Sequence, residues 1–351
     1  MGMKYNFISL EQRLNKYISD NMVSGLSLAI AKDGNILFSK CFGDSKETTL
    51  YRLASLTKPI TAVAVLICED LGLLKVDDYI DKYIPFLGSF KVDGQNGTYR
   101  IAIRELLSHS SGFPSSFEDH RFDNGSSLEK TVETYKNFTL QSIPGTKGTY
   151  SNEAYDVAAR IVEIVSKMKY EDFLKKYIFD PLGMKDTCYY VDENRIKNMP
   201  VLCEYKDGVL IPENKLTYGF DKYPNGFNGG GAGLLSTLSD YLKFATALTN
   251  KGEGLISKKA FEEMIELYKP KNYKSYFGLG VYLRQGDDWE TLPPGAFGWS
   301  GAYGGHYFSY PKENLTVVYL HNSISFGGSG APHTIELEKD INQIFGLKKI
   351  N

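Results

Sequence analysis

The chain has 351 residues, 42% hydrophobic and 23% charged, an ordinary globular composition with enough apolar side chains for one large domain or two lobes. Its 40 basic and 42 acidic residues leave a net charge of −2 with no block of like charge. That argues against nucleic acid or an anionic membrane as partner and leaves a small-molecule substrate. The four cysteines, Cys41, Cys68, Cys188 and Cys203, form no C-x-x-C pair, and the five histidines include no H-E-x-x-H, so no metal and no cofactor are expected.

Met1 to Asn6 leads straight into a polar amphipathic stretch with no apolar signal core, and no run is long enough to span a bilayer. The expected location is cytoplasmic, or outside the cell if a leader has been removed. The oligomeric state is left open. A helix is predicted from about Ser9 to Asp20. Two strands follow, Gly25 to Ala31 and Ile36 to Cys41, joined through Asp33-Gly34, a hairpin signal.

Next comes Ser55-Leu56-Thr57-Lys58 at the mouth of the apolar run Ile60 to Ile67, which reads as a core helix. Pro59 belongs in the first turn of that helix, because proline lacks an N–H and clashes with a preceding turn. Lys58 then lies one turn on from Ser55, over the same face. A lysine head in a dry site has reason to lose its proton and can take one from a serine hydroxyl. The competing reading of this motif alone is an N-cap serine beside a solvated lysine.

From about Asp77 to Glu213 the chain reads as helix and loop, with helical stretches at Ile103 to Leu107, Ala154 to Ser166 and Tyr170 to Phe179. Gly229 to Gly233 lacks the spacing of a phosphate loop and suits close backbone packing beside a site. Thr237-Leu238-Ser239-Asp240 has a capping-box pattern opening a helix toward Leu248. Tyr276 to Leu283, Gly304 to Tyr310 and Leu315 to His321 read as strands, and Thr334 to Phe345 as a last helix. The predicted class is α/β (α+β): an antiparallel sheet flanked by helices plus a mostly helical lobe. The lobes are approximately residues 1–75 with 229–351, and residues 76–228.

A serine nucleophile needs a base, a second proton shuttle and an oxyanion hole. Tyr150-Ser151-Asn152, on a loop after Pro144-Gly145 and just before a helix, supplies candidates. A tyrosine near a lysine ammonium is expected to titrate low and pass protons, and the Asn152 amide can bind a substrate amide. Trp299-Ser300-Gly301-Ala302, entering a strand, is the third element. Gly301 there lets substrate lie against the strand edge, and the Ala302 N–H can pair with that of Ser55 around an oxyanion.

Serine-x-x-lysine, then tyrosine-x-asparagine, then an x-x-glycine triplet resembles the serine β-lactamase and penicillin-binding protein group. The tyrosine form of the second motif is similar to class C β-lactamases, D-alanyl-D-alanine carboxypeptidases, D-aminopeptidases and family VIII carboxylesterases. The resemblance covers nearly the whole chain. It is carried by Ile103 to Pro114, Pro144-Gly145 through Tyr150 to Tyr155, Phe179 to Thr187 and Gly231 to Thr237, in the family's order. It implies a β-lactamase/transpeptidase-like fold and an acyl-enzyme on Ser55, with Lys58 and Tyr150 sharing the proton transfers. It further implies substrate amide binding by Asn152 and an oxyanion hole from Ser55 and Ala302. The substrate class it implies is a β-lactam, a D-amino-acid peptide or an ester.

Trp299 departs from the group's lysine or histidine. A cation there would grip a substrate carboxylate, and tryptophan does not. The W-x-G triplet is similar to that of the family's esterases and points to ester or small-amide hydrolysis, unless a nearby arginine replaces the cation.

Two other readings compete. Gly298-Trp299-Ser300-Gly301-Ala302 nearly matches the G-x-S-x-G nucleophile elbow, which should end a strand and open a helix. A protein of this shape can also bind or acylate without turnover. His109 reads as structural and His306, close after the Trp299 strand, as packed or exposed or else lining the pocket, while Tyr223, Tyr303 and Phe227 are candidates for an aromatic wall.

Overall fold

Short β-type runs at both ends of the chain build one sheet, and a helix buried over most of its length fills the space against it. The computed structural model describes residues 5–115, 127–213, 227–268, 276–285, 291–328 and 330–347. Its principal elements are α1 (Ile8–Ser19), β1 (Gly25–Lys32), β2 (Asn35–Gly43), α2 (Thr57–Asp70), α3 (Glu153–Ser166), α4 (Leu238–Thr249), β3 (Tyr282–Leu283), β4 (Phe297–Ser300), β5 (His306–Tyr310), β6 (Leu315–His321) and α5 (Pro332–Phe345). The strand order is β2-β1-β6-β5-β4-β3, with every pairing antiparallel.

Strands β1, β5 and β6 divide their side chains between two cores, because successive Cβ atoms point to opposite faces. Ala29, Ala31, Phe297, Trp299, Tyr307, Val318 and Leu320 join α2, α3 and α4 in the inner core. Leu26, Leu28, Ile30, Phe308, Tyr310, Val317 and Tyr319 join α1 and α5 in the outer one. Helix α2 is buried from Thr57 to Cys68, as its apolar run demands.

Helices α1, α3, α4 and α5 and the hairpin lie where patterning puts them. Asp33 and Gly34 both take positive φ, 52° and 76°, as a two-residue hairpin turn requires. Thr237 accepts the Asp240 N–H to cap α4.

Tyr276 to Leu283 is a correction: only Tyr282–Leu283 is strand. The chain doubles back so that Leu283 N–H reaches the Tyr276 carbonyl at 2.7 Å. Gly280 makes the reversal at φ 76°, and a Cβ there would sit 2.4 Å from Ala62 Cβ on α2. Similarly, Gly304 lies in the turn before β5, which begins at His306. Among the described residues, no helix is long and apolar enough to cross a membrane.

Candidate active site

Ser55 lies on a single 3-10 turn, Ala54–Leu56, which runs directly into α2. Ala54 has φ 46°, the left-handed region that a residue with a Cβ adopts only under strain. Pro59 stands in the first turn of α2, where its missing N–H leaves no helical bond unmade. Lys58 points back along the helix toward Ser55 and is fully buried.

Three oxygens surround Lys58 Nζ: Asn152 Oδ1 at 2.6 Å, the Gly231 carbonyl at 2.7 Å and Ser55 Oγ at 3.1 Å. Ser55 Oγ is in turn 2.6 Å from Tyr150 Oη. The Nζ also lies 4.7 Å from the centre of the Tyr150 ring. Ser55, Lys58, Tyr150 and Asn152, up to 97 residues apart in sequence, thus form one contiguous hydrogen-bonded group.

The glycine run does what close packing beside a site requires. Gly231 presents its carbonyl to Lys58, and Gly230 presents its own to Thr61 Oγ1 at 2.7 Å. A Cβ on Gly230 would lie 2.1 Å from the Tyr155 carbonyl oxygen. Buried Asp156, in the first turn of α3, accepts the N–H groups of Gly230 at 2.9 Å and Gly231 at 3.3 Å and so fixes that carbonyl. Sequence reasoning passed over Asp156. Its signal is its place four residues after Asn152, on the same face of α3.

The low titration expected of Tyr150 is not what its surroundings produce. Its side chain is 40% exposed to the cavity, yet desolvation pushes the phenol up to about 12, against hydrogen bonds with Ser55 and Trp299 that favour the phenolate. Lys58 meets the ring face as well as the hydroxyl cluster, so its field is not directed at the phenol oxygen alone. Trp299 stacks nearly parallel to the Tyr150 ring, at 6.4 Å between ring centres.

His109 packs nearly parallel to both Tyr150 and Trp299, at 4.4 and 5.6 Å between ring centres. Its Nδ1 accepts the Ser151 N–H at 3.2 Å, the loop-holding role expected of it. Burial, and then the Lys58 charge, hold His109 well below the ordinary imidazole range, so it is a neutral ring.

Trp299 and Ser300 end β4, and Gly301 to Gly304 turn the chain into β5. A nucleophile elbow would need a helix here; an antiparallel strand follows instead, which removes that reading. Gly301 abuts the Ser55 turn: a Cβ on it would lie 2.4 Å from the Leu53 carbonyl oxygen and 3.6 Å from Ala54 Cβ. Ser300 Oγ turns away from Ser55, to His306 Nδ1 at 2.8 Å. His306 is buried, not exposed.

These groups open on a cavity of about 480 Å³, within the range of small-molecule sites. Ser55, Tyr150, Asn152, Trp299, Ser300 and Ala302 all line it, as do Phe227, Phe277, Tyr282, Phe297, Tyr303 and Tyr307. Phe227 and Tyr303 therefore belong to the aromatic wall, whereas Tyr223 lies outside the described residues. Two arginines also reach the lining. Arg284 is 2.6 Å from Glu338 Oε1, and Arg52 donates to the Pro200 carbonyl at 2.9 Å, so both are already engaged. Among the described residues, no cluster of three or more His, Cys, Asp or Glu side chains could hold a metal ion.

The sequence model of the family described as Beta-lactamase matches residues 10–336. Penicillin-binding protein 4* of Bacillus subtilis (strain 168) is 27% identical over 344 residues, spanning 91% of this chain and 73% of that protein. Protein flp of Staphylococcus aureus (strain N315) is 30% identical over 202 residues, 54% of this chain and 40% of the relative. Among solved structures, EstCE1, a hydrolase with promiscuous acyltransferase activity, aligns with a TM-score of 0.80 at 21% identity, covering 93% of this chain and 96% of that one. The octameric penicillin-binding protein homologue from Pyrococcus abyssi gives 0.77 at 24% identity, covering 97% and 77%. A D-stereospecific amidohydrolase from Streptomyces sp. gives 0.72 at 19% identity, covering 98% and 100%. These three share the fold.

Proposed function

The chain belongs to the beta-lactamase family, and from that premise we propose that it is a serine hydrolase forming an acyl-enzyme on Ser55, acting on small esters or amides with an apolar, uncharged acyl group. The observation that carries this reading is the unbroken chain from Lys58 Nζ through Ser55 Oγ to Tyr150 Oη, 3.1 and 2.6 Å, at the floor of an aromatic cavity.

Two carbonyl-type oxygens, on Asn152 and Gly231, take two protons of the Lys58 nitrogen. The third direction faces Ser55, and there Lys58, once it has released its third proton, presents a lone pair to the serine proton. Ser55 Oγ attacks the substrate carbonyl carbon as its proton passes to Lys58. The negative charge on the carbonyl oxygen is received by the N–H groups of Ser55 and Ala302. Tyr150, a phenol at neutral pH, gives its proton to the departing alkoxide or amine as the C–O or C–N bond breaks, and regains one from the Lys58 ammonium, which holds the proton taken from Ser55. Water then repeats the sequence on the acyl-enzyme and frees the acid.

The uncharged acyl group follows from Trp299, Phe277 and Tyr282 in the lining, with Arg52 and Arg284 already engaged. Similarity to penicillin-binding protein 4* over 91% of the chain supports a second reading, slow acylation by penicillins.

Intact-mass time courses with a short-chain p-nitrophenyl ester and with a penicillin, beside Ser55→Ala, separate the two. Ester turnover without a penicillin adduct is the expected result. A long-lived penicillin adduct on wild type without ester turnover would replace it with the second reading.

A further inference from the structure

Ser300, His306, Glu338, Arg284 and Thr291 form a second polar cluster, on the face of the sheet opposite Trp299. Ser300 Oγ is 2.8 Å from His306 Nδ1, and His306 Nε2 is 3.2 Å from Glu338 Oε1, within ion-pair reach though not aligned as a hydrogen bond. Glu338 Oε1 also accepts from Arg284, and Glu338 Oε2 from Thr291. Burial pushes the Glu338 carboxyl up, but His306, Arg284 and Thr291 outweigh it and hold the group below its ordinary value. His306 and Glu338 are 4% and 1% exposed. Nothing in the Ser55 chemistry uses them.

The sheet gives this cluster a purpose. Strand β3 pairs with β4 only at Phe297 and Gly298. Trp299 and Ser300 pair with β5 alone, so their outer edge lies open beside the cavity. Ser300 and His306 stand directly opposite each other in the β4–β5 register, and their side chains join where the backbone partner on the other side has stopped. His306 thus bridges the two sides of the cluster, its Nδ1 on the Ser300 hydroxyl and its Nε2 facing the Glu338 carboxylate.

We propose that His306, held by Glu338, is a positioning residue: by fixing Ser300 at the open end of β4 it keeps the Ser300–Ala302 backbone in register with Ser55. Gly301 carries the effect across, since it abuts the Ser55 turn at Leu53 and closes the β4–β5 turn through its N–H on the Gly305 carbonyl at 2.7 Å. The inference rests on the Ser55 acyl-enzyme reading.

The test is the steady-state kinetics of a p-nitrophenyl ester, together with the rate at which a fluorophosphonate labels Ser55. Wild type is compared with Ser300→Ala, His306→Leu and His306→Asn, the last keeping an oxygen acceptor near the Nδ1 position. Ser300→Ala and His306→Leu should lower kcat and the labelling rate about tenfold with KM within about twofold, since displacing an oxyanion donor weakens the transition state more than the ground state. His306→Asn should recover most of that loss. If His306→Leu does not fold, Ser300→Ala and His306→Asn decide.

Rates within about twofold of wild type in Ser300→Ala overturn the inference. So does a rise in KM at constant kcat, which would make Ser300 a substrate-binding group. A wild type that is neither labelled at Ser55 nor active on esters removes the Ser55 reading and this inference with it, whereas a labelled wild type with unaffected variants removes this inference alone.

Discussion

Among the described residues, two serines have a side-chain nitrogen within hydrogen-bond distance, and the sequence nominates both as nucleophiles. Ser55 has Lys58 at 3.1 Å and Ser300 has His306 at 2.8 Å. The shorter contact belongs to the serine with no nucleophilic surroundings. Ser55 sits on a strained turn at the mouth of a buried helix, with Tyr150 Oη at 2.6 Å and Gly301 against its backbone. Ser300 sits at the end of a strand with its hydroxyl directed to the far face of the sheet, and an antiparallel strand follows. A base within reach does not make a nucleophile; the backbone around the hydroxyl, which supplies oxyanion donors and access, does.

The largest expected effect breaks the comparison outright if it fails. Ser55→Ala should abolish fluorophosphonate labelling and lower ester turnover more than about 10³-fold, while Ser300→Ala still labels. Label retained in the first variant and lost in the second would exchange the roles of the two serines.

Next come the partners of Ser55. Lys58→Ala and Tyr150→Phe should each slow acylation about 10²- to 10⁴-fold. Their stabilities should differ. Lys58→Ala strands the Asn152 and Gly231 oxygens that the buried ammonium or amine satisfied, so its melting temperature should fall. Tyr150→Phe, at a 40%-exposed side chain, should melt near wild type. Full acylation rates in both variants would contradict the proton-transfer roles.

Trp299 sharpens the same comparison from the side of specificity, because it shares β4 with Ser300 while facing Tyr150. Trp299→Lys should raise turnover of carboxylate-bearing substrates relative to neutral esters. An unchanged ratio would mean that this position does not select the acyl group.

Ser55, Lys58, Tyr150 and Asn152 were legible as one group because two short motifs carry them, and several strands of the sheet because they are short β-type runs bounded by turn residues. What stayed hidden was set by the third dimension. Gly231 contributes to the site through its carbonyl, which no side-chain pattern encodes, and Asp156 contributes by holding that carbonyl. Tyr150 was expected to titrate low from its nearness to Lys58, but burial outweighs a nearby cation when the cation also lies over the ring. Tyr276 to Leu283 looked like one strand because its aromatic spacing suits a pleat; Gly280 docks on α2 and folds it back.

The smallest expected effect concerns the imidazoles and extends the comparison from the serines to the rings behind the sheet. His306 faces a carboxylate, whereas His321 and His333 face each other, Nε2 to Nε2, at 3.0 Å. Burial, and then the charge of His306, lower His333 to about 4, and burial with His333 lowers His321 further. Above the ordinary imidazole pKa of about 6.5 neither the folded nor the unfolded state holds the proton, so the pair has no effect there. As pH falls below that value the unfolded chain binds protons that the folded pair refuses, and stability is lost until His333 itself titrates near 4. Glu105 works in the opposite direction, because burial raises its carboxyl to about 7 and the folded state takes that proton first. Comparing wild type with His333→Gln cancels Glu105. Urea unfolding should show wild type losing about 2 kcal/mol more than the variant between about pH 6.5 and about pH 5. Parallel pH dependences in the two proteins would mean that the His321–His333 pair takes up its proton as readily in the folded state as in the unfolded chain.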